Sequence, residues 1–150
     1  MKLHTIAIGC DPNAEASKQL LISFLHGKGY EVTDFGSDDI IYANVAIQVA
    51  RSVAAGEYDR GILLCGTGLG MSLAANKVRG AFAVPLSDVY SAERARLSND
   101  ANIACFGAFT SGSKLIERLA DVFLTNEFVP NCSSQPKVDR IRKYEREEHS

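Results

Sequence analysis

The chain has 150 residues, of which 46% are hydrophobic and 23% charged, which is typical of one globular domain with a moderate core. Its 16 Lys and Arg are balanced by 18 Asp and Glu, so no overall positive field exists to attract nucleic acid or a membrane surface, and we expect neither as a partner. The apolar runs are far shorter than the roughly 20 residues of a membrane-spanning helix, and Asp11 interrupts the first run before a signal-peptide core could form. These features predict a cytoplasmic protein that binds small molecules or other proteins.

Apolar, β-rich runs alternate with segments of helical periodicity along the chain. The predicted strands are residues 3–10, 30–35, 60–65, 81–86 and 102–108, and the predicted helices are residues 13–29, 42–56, 70–78, 87–98 and 111–125. The apolar face of the first helix is predicted to carry Ala16, Leu20, Leu21, Phe24 and Leu25. Because parallel strands need a crossover connection, this alternation predicts an α/β fold, a three-layer Rossmann-like α/β/α sandwich around a five-stranded parallel sheet.

An extra C-terminal helix is predicted over residues 136–147. Its apolar stripe is narrow, with only Val138, Ile141 and Tyr144, and the rest of the helix is charged. A narrow stripe of this kind indicates packing against another subunit as readily as against the chain's own core. We therefore treat residues 1–150 as a single domain whose last helix is expected to pack on a partner subunit.

The stretch "CGTGLG" directly follows the third predicted strand, at the carboxyl edge where open parallel sheets bind their ligands. Gly66, Gly68 and Gly70 allow a tight turn, and the amides of such a turn can hold an anion. The spacing fits neither the dinucleotide fingerprint nor the phosphate loop of nucleoside triphosphatases. Polar candidates for the same crevice are Asp11, after the first strand, and the segment 98–102, which stands just before the fifth strand.

Cys65 stands where the third strand ends and the glycine turn begins. Backbone amides at such a turn favour the thiolate, the form of cysteine that can act as a base or nucleophile. None of the three histidines, His4, His26 and His149, falls at the crevice end of a strand, which disfavours a Cys–His pair. A cysteine that removes a proton from carbon beside an oxyanion site needs no such partner. Packing remains the alternative for any isolated cysteine.

The other cysteines receive simpler interpretations. Cys10 and Cys105 lack a glycine nest and are interpreted as packing residues, and no role is assigned to Cys132. The chain has no CxxC pair and no histidine cluster at metal-ligand spacing, so we predict reduced thiols, no disulfide and no metal site.

Three stretches, "IAIGCD", "YDRGILLCGTGLGMSLAANKVRG" and "SDVYSAERARLSNDANIACFGA", together with the basic C-terminal helix, resemble ribose 5-phosphate isomerase B and the related galactose 6-phosphate isomerase subunits. The resemblance implies aldose–ketose isomerisation of a sugar phosphate through a cis-enediolate, without a metal or organic cofactor. It implies that Cys65 is the base and that Thr67 helps to move the proton at oxygen. It assigns the anion hole to Gly66, Gly68, Leu69 and Gly70, and the sugar contacts to Asp11, Tyr42 and Asn99, although Tyr42 could equally be a packing residue at the rim.

The chain departs from the family pattern in the half of the site that a second subunit is implied to supply. Ser98 stands where the ribose enzymes have a ring-opening histidine, and Phe109 and Ser133 stand where they have phosphate-binding arginines. Lys137 keeps the charge of a third such position, and Arg140 lies a turn along as a substitute. The resemblance therefore implies a homodimer or homotetramer in which Cys65 comes from one subunit, and the 98–99 segment and basic helix come from the other.

Three interpretations of these departures stay open. The chain is a homodimeric isomerase of a different sugar phosphate, such as a tetrose 4-phosphate, which cannot close a furanose because its oxygen 4 is esterified. Alternatively, it is the cysteine-bearing subunit of an enzyme completed by a paralogous subunit. The third is a non-catalytic sugar-phosphate-binding protein. The intact base and anion nest favour an isomerase, and the number of carbons in the sugar stays undetermined.

Overall fold

The computed structural model describes residues 4–148. Its strands are β1 Thr5–Cys10, β2 Glu31–Asp34, β3 Arg60–Cys65, β4 Ala83–Pro85 and β5 Ile103–Gly107. Its helices are α1 Glu15–Gly27, α2 Tyr42–Ala54, α3 Leu69–Ala75, α4 Val89–Leu97, α5 Ser113–Thr125 and α6 Gln135–Glu148, with a 3-10 turn at Pro12–Ala14. The strands form one parallel sheet in the order β2-β1-β3-β5-β4, which confirms the predicted α/β fold.

Helices cover both faces of the sheet. On one face, α1, α4 and α5 bury a cluster that includes Leu21, Phe106 and Phe123. On the other face, α2 and α3 bury a second cluster, which includes Val49, Leu63 and Met71. The central strands β1, β3 and β5 are almost continuously buried because both of their faces are covered, and their sequences are accordingly apolar runs.

The sheet ends at the short strand β4. Asn76, just after α3, holds this strand through two hydrogen bonds: its Oδ1 accepts from the backbone N–H of Ala83 at 2.7 Å, and its Nδ2 donates to the carbonyl of Ala83 at 2.8 Å. On the inner side, β4 pairs with β5. Asn76, together with Ser72 Oγ, which donates to the same Ala83 carbonyl at 3.3 Å, thereby fixes the edge strand against the helix that follows the glycine turn.

The predicted inner face of α1 is wrong in part. Leu20 is 52% exposed and Ala16 is also exposed, whereas Lys18 is buried with 1% of its surface exposed. The helix is rotated from the predicted face because the Lys18 ammonium pairs with the carboxylates of Glu15 and Asp34. Those ion pairs allow a lysine to occupy an inward position that an apolar pattern would not assign to it.

The C-terminal helix α6 lies against its own chain at the amino edge of the sheet. Val138 is buried, Arg142 forms an ion pair with Asp100, and Glu145 accepts a hydrogen bond from the Gly80 amide at 3.1 Å. The other two members of the predicted stripe, Ile141 and Tyr144, are more than half exposed. The stripe is thus only partly used within one chain.

Candidate active site

A crevice of about 340 Å³ opens at the carboxyl ends of β1 and β3. The chain leaves β1 toward α1 on one face and leaves β3 toward α3 on the opposite face, so the two loops diverge and leave a gap between them. Ligands of open parallel sheets bind at such a divergence. The lining residues are Asp11, Asn13, Tyr42, Cys65, Gly66, Thr67, Gly70 and Phe109.

Cys65 is the last residue of β3 and has 5% of its surface exposed, at the bottom of this crevice. Its Sγ accepts a hydrogen bond from the Gly68 amide at 3.0 Å, so the sulfur is held within the glycine turn. Gly68 has a φ of +81°, and a Cβ on it would lie 3.1–3.2 Å from backbone atoms of Cys105 and Phe106. The turn that aims an amide at the sulfur therefore requires glycine at this position.

The start of the glycine turn is hydrogen-bonded to the loop that follows β5. The amide of Ala108 donates to the carbonyl of Cys65 at 2.8 Å, and the amide of Phe109 donates to the carbonyl of Gly66 at 3.0 Å. Within the turn, Thr67 Oγ1 accepts from the Leu69 amide at 3.2 Å. That bond uses an acceptor site of the hydroxyl, so the hydroxyl can still donate its hydrogen to a ligand.

Asp11 and Tyr42 reach the crevice from two other elements. The Asp11 carboxylate caps the 3-10 turn after β1 by accepting from the Asn13 amide at 3.0 Å. Tyr42 begins α2, and its ring lies so close to Gly70 that a Cβ there would be 2.3 Å from Tyr42 Oη. Gly70 therefore provides the space in which the tyrosine ring packs over the turn.

Cys10 and Cys105 have the features of packing residues. Burial raises the pKa of Cys10 to about 12, and burial also raises the pKa of Cys105 well above its ordinary range. Both side chains are almost fully buried and therefore stay neutral near pH 7. Of the four cysteines, Cys65 is the one whose thiol faces the crevice containing Asp11, Tyr42 and Thr67.

Four predicted site residues do not reach the crevice within one chain: Ser98, Asn99, Lys137 and Arg140. The expectation that segment 98–102 joins the other polar residues at the carboxyl edge is wrong for a single chain, because α4 runs back across the sheet and ends at the amino edge. Asn99 instead lines a separate groove of about 300 Å³ beside β4. Lys137 and Arg140 are exposed on α6.

Ser98 is engaged inside its own helix end. Its Oγ donates to the carbonyl of Arg94 at 3.0 Å and accepts from Arg94 Nε at 3.2 Å. A hydroxyl held in this way has its only hydrogen directed to the backbone. Ser98 therefore has no donor to offer to a sugar in this conformation.

The structure adds the surroundings of two further positions. Phe109, named from the sequence only as the replacement of an arginine, lines the crevice and is 71% exposed, with its ring against Gly66. Leu69 is exposed and borders a neighbouring groove with Pro85 and Leu86. The position of Phe109 at the crevice could have been predicted, because residue 109 follows the carboxyl end of β5, and β5 is the neighbour of β3 in the sheet.

Residues 4–148 contain no group of three or more His, Cys, Asp or Glu side chains placed to hold a metal ion. Within the same part of the chain, no helix has the length and apolarity needed to cross a membrane. Among the histidines described, His4 bonds to Glu127 at 2.8 Å and His26 is exposed on α1, and neither lines the crevice. His149 lies outside the described residues.

Comparison with known proteins gives a consistent result. Residues 6–141 match the ribose/galactose isomerase family. The chain is 47% identical over 141 residues to a ribose-5-P isomerase B of Listeria innocua, covering 92% of this chain and 95% of that protein. It is 42% identical over 148 residues to a D-erythrulose-4-phosphate isomerase of Pectobacterium atrosepticum, covering 96% and 97%. The type B ribose 5-phosphate isomerase structure from Leishmania infantum superposes with a TM-score of 0.92 at 36% identity, covering 98% and 99%.

The fold, the thiol beside a glycine turn and these similarities define a sugar-phosphate isomerase that interconverts aldoses and ketoses. The chain belongs to the ribose/galactose isomerase family. This membership confirms the resemblance found in the sequence.

Proposed function

We propose that Cys65 is the base of a cis-enediolate mechanism. The Cys65 thiolate removes the proton from C2 of an open-chain aldose phosphate, and the electron pair of that C–H bond moves to form the enediolate with negative charge on O1. Thr67 passes a proton from O2 to O1, and the Cys65 thiol returns its proton to C1. The product is the 2-ketose phosphate, and the thiolate is regenerated.

The position of Cys65 Sγ carries this proposal. It lies at the bottom of the crevice and accepts from the Gly68 amide at 3.0 Å. The amides of Gly68 and Leu69 already donate inside the turn, to Cys65 and Thr67, so contacts to the enediolate oxygen fall to the other amides of the 66–70 turn. Asp11 and Tyr42, at the crevice wall, are the proposed contacts to sugar hydroxyls.

The preferred substrate is proposed to be a tetrose 4-phosphate, interconverted with the corresponding tetrulose 4-phosphate. The Ser98 hydroxyl hydrogen is held by the Arg94 carbonyl, and a serine hydroxyl has no pKa near neutrality, so catalysis of ring opening is poorly supported. A tetrose 4-phosphate cannot form the usual furanose and needs no ring opening. The similarity to a D-erythrulose-4-phosphate isomerase supports this choice.

Ribose 5-phosphate is the second candidate, because the chain is 47% identical to a ribose-5-P isomerase B. Initial rates of the purified chain with a panel of four-, five- and six-carbon aldose phosphates test both. We expect the tetrose phosphate to give the highest kcat/KM. A higher kcat/KM on ribose 5-phosphate would reverse the order of the candidates, and binding without turnover of any member would favour a non-catalytic protein.

We further propose that two chains complete each site, in a homodimer or homotetramer located in the cytoplasm, with residues 1–150 acting as one isomerase domain. Within one chain, Asn99, Lys137 and Arg140 lie away from Cys65, so the sugar-phosphate contacts implied for them need a second chain. The exposed apolar side chains of Leu69 and Tyr90, beside the grooves next to β4, provide a surface for that contact.

Mixing two inactive variants tests the shared site. Cys65→Ala removes the base, and the double variant Lys137→Ala, Arg140→Ala removes the proposed phosphate contacts. If each site takes Cys65 from one subunit and the cations from the other, random reassociation should restore about a quarter of the wild-type activity, because half of the dimers carry one intact site. No recovery on mixing, with subunit exchange verified by mass, would exclude a shared site in this chain. A gain only with a paralogous subunit would favour the two-gene alternative.

A further inference from the structure

Lys18 is one of the largest side chains that are fully buried, and the proposed chemistry makes no use of it. Its Nζ lies 2.8 Å from Asp34 Oδ1 and 2.9 Å from Glu15 Oε2. Burial by itself would lower the pKa of Lys18, but the hydrogen bonds to Asp34 and Glu15 outweigh it, and the net pKa is raised. A charged ammonium therefore stays in place between α1 and the end of β2.

The two carboxylates that hold Lys18 also bind the segment after β2, Asp34 through the Gly36 amide and Glu15 through the Ser37 side chain. Asp34 Oδ1 accepts from the Gly36 amide at 2.8 Å, and the Gly36 carbonyl accepts from the Cys10 amide at 3.1 Å. The hydrogen bond from the Ser37 side chain, followed by the contact with Lys18, lowers the pKa of Glu15 to about 2. Lys18 thus joins α1, the end of β1 and residues 34–37 into one cluster, which we call the Lys18 brace.

Two residues that line the crevice, Asp11 and Tyr42, lie close in sequence to the Lys18 brace. Asp11 directly follows Cys10, whose amide is bonded to Gly36. Tyr42 lies five residues beyond Ser37, and the intervening segment is held by Asp39, which accepts from the Ile41 amide at 2.8 Å and from Asn44 Nδ2 at 2.9 Å. The path from the ammonium to the tyrosine ring thus consists of hydrogen bonds at residues 34–36 and at residues 39–44, joined by a short stretch of backbone.

We propose that Lys18 is a positioning residue that fixes Asp11 and Tyr42 at the crevice from outside it. This inference rests on the proposed function for the roles of those two residues. A buried ion pair is weak evidence for a purely stabilising role, since apolar side chains of similar volume often replace both partners at no cost in stability. The placement of the brace beside both wall residues is what gives the lysine a role in the site.

Lys18→Met is the variant that tests the proposal. The side chains of Asp34 and Glu15 keep 36% and 42% of their surface exposed, so water can solvate both carboxylates once the ammonium is gone, and we expect the variant to fold. The matched control is Arg60→Met, which removes another largely buried cation, paired with Glu127 at the amino edge of the sheet, far from the crevice.

Hydrogen exchange gives a readout that does not depend on turnover. Lys18→Met should accelerate amide exchange in residues 36–44 about tenfold and leave residues 66–70 unchanged, because only the first segment loses its tether. Arg60→Met should leave both segments unchanged. Unchanged exchange in residues 36–44 of Lys18→Met, or equal acceleration in the two variants, would overturn the proposal even if the chain proved to have no isomerase activity.

Kinetics then links the brace to the wall residues. On the sugar phosphate that the wild type converts fastest, Lys18→Met should raise KM about tenfold with a smaller change in kcat, as expected for misplaced binding groups. In a Tyr42→Ala background, the same substitution should have a clearly smaller effect, because the group it positions is gone. Full additivity of the two substitutions, with wild-type turnover intact, would refute the inference while leaving the proposed function standing.

Discussion

Replacing Cys65 by Ala should lower turnover far more than it lowers the free energy of unfolding. The substitution removes one buried heavy atom from a cluster that includes Leu63, Met71 and Cys105. Removing an atom of methylene size costs about 1 kcal/mol, and the residual cavity raises this to at most about 1.5 kcal/mol. The buried Gly68 amide loses its sulfur partner, but the position that the sulfur leaves is part of the crevice that Cys65 lines, so water can take its place. We therefore expect a fall in the free energy of unfolding of about 1–2 kcal/mol.

The effect on catalysis should be much larger. Loss of a general base typically lowers the rate by about 10²–10⁴, and a loss of 10³ corresponds to about 4 kcal/mol of barrier. Thermal unfolding and initial rates on the same preparations make the comparison. Exchange of the C2 hydrogen with deuterated water gives a direct measure of proton removal and should fall in parallel with turnover.

Cys105→Ala is the matched control, because Cys105 is fully buried in the same cluster on the neighbouring strand. It should lose a similar amount of stability and keep nearly all of its activity. Retention of more than about a tenth of the turnover in Cys65→Ala, which is well above what loss of a base permits, would refute Cys65 as the base. Equal kinetic losses in the two variants would show that the effect comes from packing.

Three further outcomes are expected. Gly68→Ala places a Cβ at a φ of +81° and 3.1 Å from backbone, so the free energy of unfolding should fall by about 2–3 kcal/mol, measured by thermal unfolding, with reduced turnover. Phe109→Arg restores a cation at the crevice rim and should raise kcat/KM for ribose 5-phosphate about tenfold, since a charge-assisted contact contributes about 1.5–3 kcal/mol. The pKa of Glu15 is lowered from 4.5 to about 2, so its contribution to stability is present above pH 4.5 and is lost as the pH falls toward 2; Glu15→Gln should flatten that part of a urea-unfolding pH series.

The fold was largely predictable because the sheet is covered on both faces. The third strand was predicted at residues 60–65 and lies there, since a buried parallel strand is an uninterrupted apolar run. The edge strand was predicted at 81–86 and spans only 83–85. Its start depends on Asn102, whose side chain accepts from the Phe82 amide at 2.8 Å and so ends regular pairing there. A contact across 20 residues leaves no local pattern in the sequence.

The inward face of α1 was not predictable from periodicity. An apolar pattern assigns lysine to solvent, and it assigns Leu20 to the core instead. Lys18 lies inside because Asp34, on the next strand, meets it there. The pairing depends on how the helix docks on the sheet, which is tertiary information.

The candidate site, like the fold, was predictable from the sequence only in part. The turn from Cys65 to Gly70 is contiguous in sequence, and its geometry follows from its glycines. Asp11 could be placed with it by the rule that carboxyl ends of parallel strands share an edge, whereas Tyr42 came from the family resemblance. The roles of Asn99, Lys137 and Arg140 could not be judged from one chain, because the contacts implied for them cross to another.

The two hydrogen bonds from Asn76 to Ala83 of β4 affect how copies of this chain can assemble. Backbone groups of Ala83 and Pro85 point to the same side of the strand because they are two residues apart. The Ala83 N–H is occupied by Asn76, and Pro85 has no N–H to give. Strand β4 therefore presents no backbone donor on its outer side to an incoming strand, and β-augmentation at this border of the sheet is blocked. Any contact between copies of this chain at the β4 border therefore uses side-chain surfaces and does not join two sheets, and edge-to-edge aggregation is disfavoured at this border.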